Sequence, residues 1–245
     1  MDILIFIISL IAAFVFSLGG IGSAVILVPI MISMGIPINS AKPIGLFINT
    51  VSMTGASISN IKHKRLDFKM GIPIIVFSFI FAIVGAYISQ FIPSSYILIL
   101  FIGFLIFSSL MFLFYKKKET ETYRSDIPYV ALSLIGSGAG LLSGLLGIGG
   151  GSIIAPLMLM LGLNPKKIAT ITAFVVPFSS FSGFITYWAM GNVNWRILAI
   201  ASIAGIIGAT AGTIFMQKKL NTGTVKKILA IILLLMAVKM IFKVF

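Results

Sequence analysis

Ten apolar stretches follow one another along the chain, separated by short polar or glycine-rich stretches. They cover residues 3–18, 22–36, 43–61, 70–91 and 95–115 in the first half, and 128–146, 150–163, 168–190, 195–216 and 224–244 in the second. Most approach the roughly 20 residues that a helix needs to cross a bilayer. The pattern therefore predicts an all-α polytopic membrane protein.

The two halves of the chain align with each other at a shift of 127 to 128 residues. The matches include Gly22 with Gly149, Pro29 with Pro156, Gly35 with Gly162, Ser52 with Ser180 and Gly85 with Gly212, in that order along the chain. Chance supplies isolated matches between apolar sequences but not an ordered series. We infer a duplication, with a first transmembrane repeat at 1–115, a polar cytoplasmic linker at 116–127 and a second repeat at 128–245.

The first two segments of each half are short and are separated by glycines, which leaves two topologies. Each pair could form one bent span, giving eight spans, or a hairpin, giving two inverted repeats of about five segments. The hairpin topology with both termini outside puts 14 of the 18 Lys and Arg residues inside, and the eight-span topology at best 11. The positive-inside rule favours the hairpins. In this topology Lys42, Arg196, Lys239 and Lys243 lie outside or near the outer end.

Composition narrows the classes of partner. The chain is 59% hydrophobic and 9% charged, so its surface suits a lipid bilayer, here the cell membrane. The net charge of +13 comes mostly from loop residues that set topology, so we expect no nucleic acid to bind. The sequence contains no cysteine, which excludes disulfides and thiolate metal sites.

Glycine clusters interrupt the apolar runs at corresponding places in the two halves. Residues 147–151 contain four glycines in five positions, and Gly20, Gly22 and Ser23 form a weaker copy. Broken helices in the two halves of a transporter point to a substrate site near the membrane midplane. Helix starts expose unpaired amides at the positive end of the helix dipole, so these segments predict an anion site. The predicted contributors are Gly20, Gly22, Ser23, Gly149, Gly150, Gly151 and Ser152. The alternative is that the glycines only allow close helix packing, as we expect for Gly136, Gly138 and Gly140 and for Gly208 and Gly212.

The third segment of each half holds a second concentration of polar residues. From these we select Asn49, Ser52, Thr172, Ser179 and Ser180 as side chains that bind the substrate. Pro177 aligns with Asn49 and is expected to kink its helix and free a carbonyl for the same site. The alternative for each hydroxyl is a hydrogen bond to the backbone of its own helix.

The sequence lacks the side chains that several kinds of functional site require. All five Asp and Glu residues lie at ends or in loops, and the chain has one His. A buried proton relay, a metal site and a nucleophile–base pair are therefore not expected. No lysine follows the glycine cluster as a phosphate-binding loop requires, so direct coupling to ATP is not expected. We expect no cofactor, and without a nucleophile–base pair or a metal cluster we expect no enzyme.

Residues 142–151 (LSGLLGIGGG), followed by Pro156 and Gly162, resemble the signature of the TauE/SafE sulfite exporter family, also called TSUP. The resemblance extends over essentially the whole chain, although Ser23 and Ala24 replace Gly150 and Gly151 in the first half. It implies transport of sulfur-containing anions such as sulfite, sulfoacetate or other organosulfonates by alternating access. An anion channel or facilitator of the same architecture with another small-anion cargo is the alternative, and the glycine faces permit a homodimer.

Overall fold

The computed structural model describes residues 2–17, 22–114, 126–191, 193–219 and 222–244. These residues form ten helices, one on each predicted apolar segment, and no strand. The helices are α1 (Asp2–Ser17), α2 (Ala24–Ser33), α3 (Ile38–Lys62), α4 (Phe68–Ile88), α5 (Ser94–Phe114), α6 (Tyr129–Leu146), α7 (Gly151–Met160), α8 (Pro165–Ala189), α9 (Trp195–Lys219) and α10 (Thr222–Val244). The all-α prediction is confirmed. Residues 116–125, most of the linker predicted at 116–127, lie outside the described residues.

Helix length and surface chemistry identify a polytopic membrane protein. Five helices, α4, α5, α6, α8 and α9, contain stretches long and apolar enough to cross a bilayer. On α4, Ile72, Val76 and Ile80 recur one turn apart and are 48–54% exposed, which suits a surface that faces lipid. In contrast, α2 and α7 have 10 residues each. At 1.5 Å per residue each is about 15 Å long, roughly half of the hydrocarbon core.

The first helix of each half packs on the other half of the chain. Helix α1 lies mainly against α9, and its counterpart α6 lies mainly against α4. Helices that correspond in the alignment also meet in pairs, α3 with α8 and α5 with α10. The two halves therefore interlock and share one core.

Glycines permit the closest of these contacts. Gly136, Gly140 and Gly144 lie at four-residue spacing on α6, and a Cβ at each would collide with the main chain of α4. Gly208 on α9 lies in the same way against the main-chain oxygen of Leu10 on α1. The packing function expected for Gly136, Gly140 and Gly208 is confirmed. The same expectation for Gly138 is wrong, because a Cβ there would meet no atom within 4 Å. Because α1 covers Gly208 within the chain, this glycine gives no support to a homodimer.

Helices α3 and α8 run in opposite directions. The rings of Phe47 and Phe184 lie 4.8 Å apart, and the Lys42 ammonium lies 5.7 Å from the ring centroid of Tyr187. Residue numbers therefore fall on one helix as they rise on the other.

An ion pair joins the loop before α4 to the first turn of α8. The Lys167 ammonium lies 2.7 Å from the Asp67 carboxylate. Its hydrogen bond is the main reason that the pKa of Asp67 lies below its usual value. Asp67 also accepts from the Met70 N–H at the start of α4. Asn194, its aligned counterpart, accepts in the same way from the Ile197 N–H at the start of α9.

Candidate functional site

The chain reverses direction at the glycine cluster between α6 and α7. Helix α6 ends at Leu146 and is followed by Gly147, whose φ of 74° is left-handed, and by Gly149 with a φ of 72°. A Cβ on Gly150 would lie 3.8 Å from the Cβ of Ala139, which is two turns before the end of α6. The chain has therefore folded back beside α6 before α7 begins. A left-handed backbone is one that glycine adopts without steric cost.

Asn49 on α3 connects the helix starts of the two halves. Its side chain is completely buried. The Oδ1 atom accepts a hydrogen bond from the Ala24 N–H at 3.0 Å, in the first turn of α2. The Nδ2 atom donates to the Ile148 carbonyl at 2.9 Å, in the turn before α7. The side-chain oxygen and nitrogen of Asn49 thus join two segments that are far apart in sequence.

Two aligned glycines leave the space that the Asn49 amide fills. A Cβ on Gly22, which has a φ of 91°, would lie 2.6 Å from Asn49 Oδ1. A Cβ on Gly149 would overlap Asn49 Nδ2 from the other half. Any side chain at either glycine would therefore displace Asn49. Gly20 lies outside the described residues.

The predicted hydroxyl groups divide into two sets. Most donate to the backbone near their own position: Ser52 to Asn49, Thr172 to Ile168 and Ala169, Ser179 to Val176, and Ser152 to Gly149 at a long 3.5 Å. The hydroxyls of Ser23 and Ser180 are buried and have no hydrogen-bond partner within the described residues. Binding roles for all of these residues, and for Pro177, stay predictions.

The structure brings only some of the α8 residues to the turn. Ser180 Oγ would lie 2.9 Å from a Cβ on Gly149, and Ser179 Oγ would lie 3.4 Å from one on Gly150. Ser180 therefore faces the start of α7 with a hydroxyl that no described residue bonds. Thr172 lies two turns earlier on α8, and its hydroxyl is engaged within that helix.

The helix starts of α2 and α7 differ in how their amides are satisfied. Ala24 donates to Asn49, so the first turn of α2 has an acceptor. No side chain caps α7, and within the described residues the N–H groups of Gly151 and Ser152 donate to no acceptor. The start of α7 thus keeps amide donors at the positive end of a helix dipole, beside the Ser180 hydroxyl.

Lys42 is a buried residue that the sequence interpretation assigned to the outer end. Its side chain is fully buried in the first turns of α3, and its ammonium has no hydrogen-bond partner among the described residues. A Cβ on Gly147 would overlap the Lys42 side chain. The signal in the sequence was its position seven residues before Asn49, which places both on one face of α3.

Comparison with known proteins identifies the family. The family model described as "Sulfite exporter TauE/SafE" matches residues 5–240. The chain belongs to the TauE/SafE family. The resemblance read from residues 142–151 is thereby confirmed.

Relatives within and near the TauE/SafE family include proteins of similar length. The "Probable membrane transporter protein YunE" of Bacillus subtilis is 28% identical, with 98% of this chain and 97% of the relative aligned. The "Probable membrane transporter protein MJ0441" of Methanocaldococcus jannaschii is also 28% identical, with 88% and 86% aligned. The "Sulfite exporter TauE/SafE family protein 6" of Arabidopsis thaliana is 40% identical, over 33% of this chain and 19% of the relative.

Membership of TauE/SafE makes this chain a membrane transporter and not an enzyme. The expectation of a transport protein is confirmed at that level.

Proposed function

We propose that the protein carries small sulfur-containing anions, such as sulfite, sulfoacetate or other organosulfonates, across the cell membrane by alternating access. One observation carries the proposal. The unsatisfied amides at the start of α7 lie beside the free, buried hydroxyl of Ser180. Both groups are hydrogen-bond donors that an oxyanion accepts from.

The α7 helix start suits a tetrahedral or pyramidal oxyanion for electrostatic reasons. Gly150 and Gly151 have no side chains, so an anion approaches the main-chain N–H groups closely. The helix dipole contributes roughly half a positive charge at this end. Ser152 belongs to the same turn, and Ser180 supplies a hydroxyl from a different helix. Asn49 holds the turn in place through Ile148.

We propose two inverted repeats, residues 1–115 and 128–245, with hairpins that stop near the midplane. The antiparallel contact of α3 with its counterpart α8 supports this arrangement. So does the Asp67–Lys167 pair, which needs the loop before α4 and the start of α8 on one face. An eight-span topology would put these two segments on opposite faces. With the loop inside, by the positive-inside rule, both termini lie outside.

The substrate class comes from the family. Several Arabidopsis relatives carry the words "Sulfite exporter" in their names. The chemistry of the α7 start agrees with that cargo because amide and hydroxyl donors match sulfonate and sulfite oxygens. Alternating access would move one repeat against the other around this site.

The test is anion flux into proteoliposomes that contain the purified protein. Sulfite, sulfoacetate, taurine, sulfate and chloride are compared, each with and without a pH gradient and an imposed membrane potential. Saturable flux of a sulfur anion, with trans-stimulation by unlabelled substrate, is the expected result. Flux without trans-stimulation would indicate a channel, and flux of chloride alone would contradict the sulfur cargo.

A further inference from the structure

The strongest unexplained feature of the core is the ammonium of Lys42. The Lys42 side chain is completely buried between α3 and the neighbouring segments. Within the described residues no hydrogen-bond acceptor contacts the ammonium. The ammonium lies over the ring of Tyr187, 5.7 Å from the ring centroid.

Tyr187 offers only its ring to Lys42, because its hydroxyl is already engaged. The Tyr187 hydroxyl donates to the Gly144 carbonyl at 2.8 Å and lies 2.8 Å from the Ser89 hydroxyl. These bonds tie α8 to the end of α6 and to the end of α4. The ring face attracts a cation weakly, and this does not replace a counter-ion.

No carboxylate from the apolar segments neutralises Lys42. The sequence contains no Asp or Glu in 3–66, 68–118 or 127–245. Asp67 is paired with Lys167 at the far end of α3, and Asp126 is exposed. An unpaired ammonium in a low-dielectric interior is strongly destabilising, so a resident positive charge there calls for an anion from outside the chain.

Lys42 also lies beside the proposed anion site. Lys42, Gly45 and Asn49 share one face of α3, and this face lies along residues 147–149. A Cβ on Gly45 would lie 2.8 Å from the Gly147 carbonyl. Seven residues of helix separate Lys42 from Asn49 by about 10 Å along the axis. The stem of the Lys42 side chain thus lies against Gly147, at the turn that leads into α7, and its ammonium lies over the Tyr187 ring.

We propose that the Lys42 ammonium is the fixed positive charge of the transport path and forms an ion pair with the transported anion. This deepens the proposed function and rests on it. An anion that passes the turn between α6 and α7 meets Lys42 on one side and the α7 amides on the other. The sequence interpretation expected an anion site built from helix-start amides and neutral polar side chains, without a fixed positive charge.

The test compares Lys42→Met and Lys42→Gln with the control Lys62→Met. Lys62 ends the same helix and is exposed, so its replacement removes one charge from α3 away from the site. The measurements are the KM for sulfite uptake into proteoliposomes and the rise in the thermal unfolding midpoint caused by sulfite in detergent. We expect at least a tenfold higher KM and loss of the sulfite-induced rise in both Lys42 variants, with Lys62→Met unchanged.

The unliganded unfolding midpoint separates binding from a structural role. Lys42→Met replaces a buried charge by an apolar side chain of similar shape, so its midpoint without sulfite should equal or exceed that of the wild type. A lower midpoint with an unchanged sulfite response in either variant would overturn the proposal. So would an unchanged KM in both.

The same measurements distinguish a wrong substrate assignment from a wrong role of Lys42. If the wild type transports no sulfur anion, but sulfate or chloride raises its unfolding midpoint and Lys42→Gln abolishes that rise, Lys42 binds an anion and only the cargo is wrong. If the wild type transports sulfite and both Lys42 variants match it, the cargo is right and the role of Lys42 is wrong.

Discussion

The starts of α2 and α7 occupy corresponding positions in the two halves, but their first amides differ in whether a side chain accepts from them. Each helix has 10 residues with a proline at its sixth position, and each follows a left-handed glycine that contacts Asn49. Asn49 accepts from the first amide of α2, whereas no side chain of the described part of the chain caps α7. A duplicated helix start becomes a structural connection when a side chain from another helix accepts from its first amide, as Asn49 does from Ala24. It remains available to a ligand when none does.

The different outcome follows from one aligned position. Asn49 occupies α3, and Pro177 occupies the corresponding place on α8. Proline has neither an amide side chain nor an N–H group, so it cannot cap α7 as Asn49 caps α2. Ser180 comes closest on that side, and its hydroxyl stays free.

Removing the connection made by Asn49 should give the largest effect on stability. Asn49→Leu leaves the Ala24 N–H and the Ile148 carbonyl buried without partners, at about 1–3 kcal/mol each, or about 2–6 kcal/mol in total. The measurement is the free energy of unfolding in detergent. Thr54→Val is the control on the same helix, because Thr54 is exposed and bonds only to its own helix. If Asn49→Leu lowers the free energy of unfolding no more than Thr54→Val does, Asn49 does not hold the two halves together.

Blocking the open helix start should give the largest effect on flux. Gly150→Leu fills the space before the α7 amides, so we expect at least a hundredfold lower sulfite flux, about 2.7 kcal/mol. Flux is measured in proteoliposomes with matched protein content. Gly138→Leu is the control, since Gly138 lies on α6 with open space around it. Equal flux in the two variants would contradict a site at α7.

The buried hydroxyls of Ser180 and Ser23 allow the starts of α7 and α2 to be compared through smaller changes in KM. Ser180→Ala removes a donor beside α7, and we expect about a tenfold higher KM for sulfite, as for loss of one hydrogen bond to a charged group. Ser23→Ala makes the matching change beside α2 and should alter the KM less than about twofold if α2 is structural. Uptake kinetics of both variants provide the check. A larger effect at Ser23 would reverse the assignment of the two helix starts.

The smallest effect concerns the caps of α4 and α9. Lys167 keeps the pKa of Asp67 below 3.8, its ordinary value, so the pair stabilises the folded state at neutral pH. That stability is lost as the pH falls below 3.8 toward the lowered pKa of the folded state. Asp67→Asn should cost under about 1 kcal/mol at pH 7, since both side chains are partly exposed.

The check is the unfolding midpoint of wild type and Asp67→Asn between pH 3 and pH 7. The difference should shrink as the pH falls. Asn194 caps α9 without a charge, so Asn194→Asp serves as the matched variant of the other half. A difference for Asp67→Asn that stays constant over this range would mean that the ion pair contributes nothing.

The sequence by itself determined the elements and the class of this protein. Apolar runs are local signals, and each of the ten predicted segments carries a helix. Glycine needs no partner to adopt a left-handed backbone, so the cluster at 147–151 marked the turn before α7. The same residues carried the resemblance to TauE/SafE, which the family match over 5–240 confirms.

Only the tertiary structure decided which groups meet. Helices that are apolar on all sides have no pattern to indicate which face turns toward a neighbour. The pairing of α1 with α9 and the bridge made by Asn49 therefore left no local signal. For the buried Lys42 the sequence offered only its spacing of seven residues from Asn49, which does not show what covers that face of α3. From the sequence, a lysine near a helix end is taken as a charge that indicates the side of the membrane, because the sequence does not reveal which segments cover it. Its burial depends on α8 and the α6–α7 turn, which are more than 100 residues away in the chain.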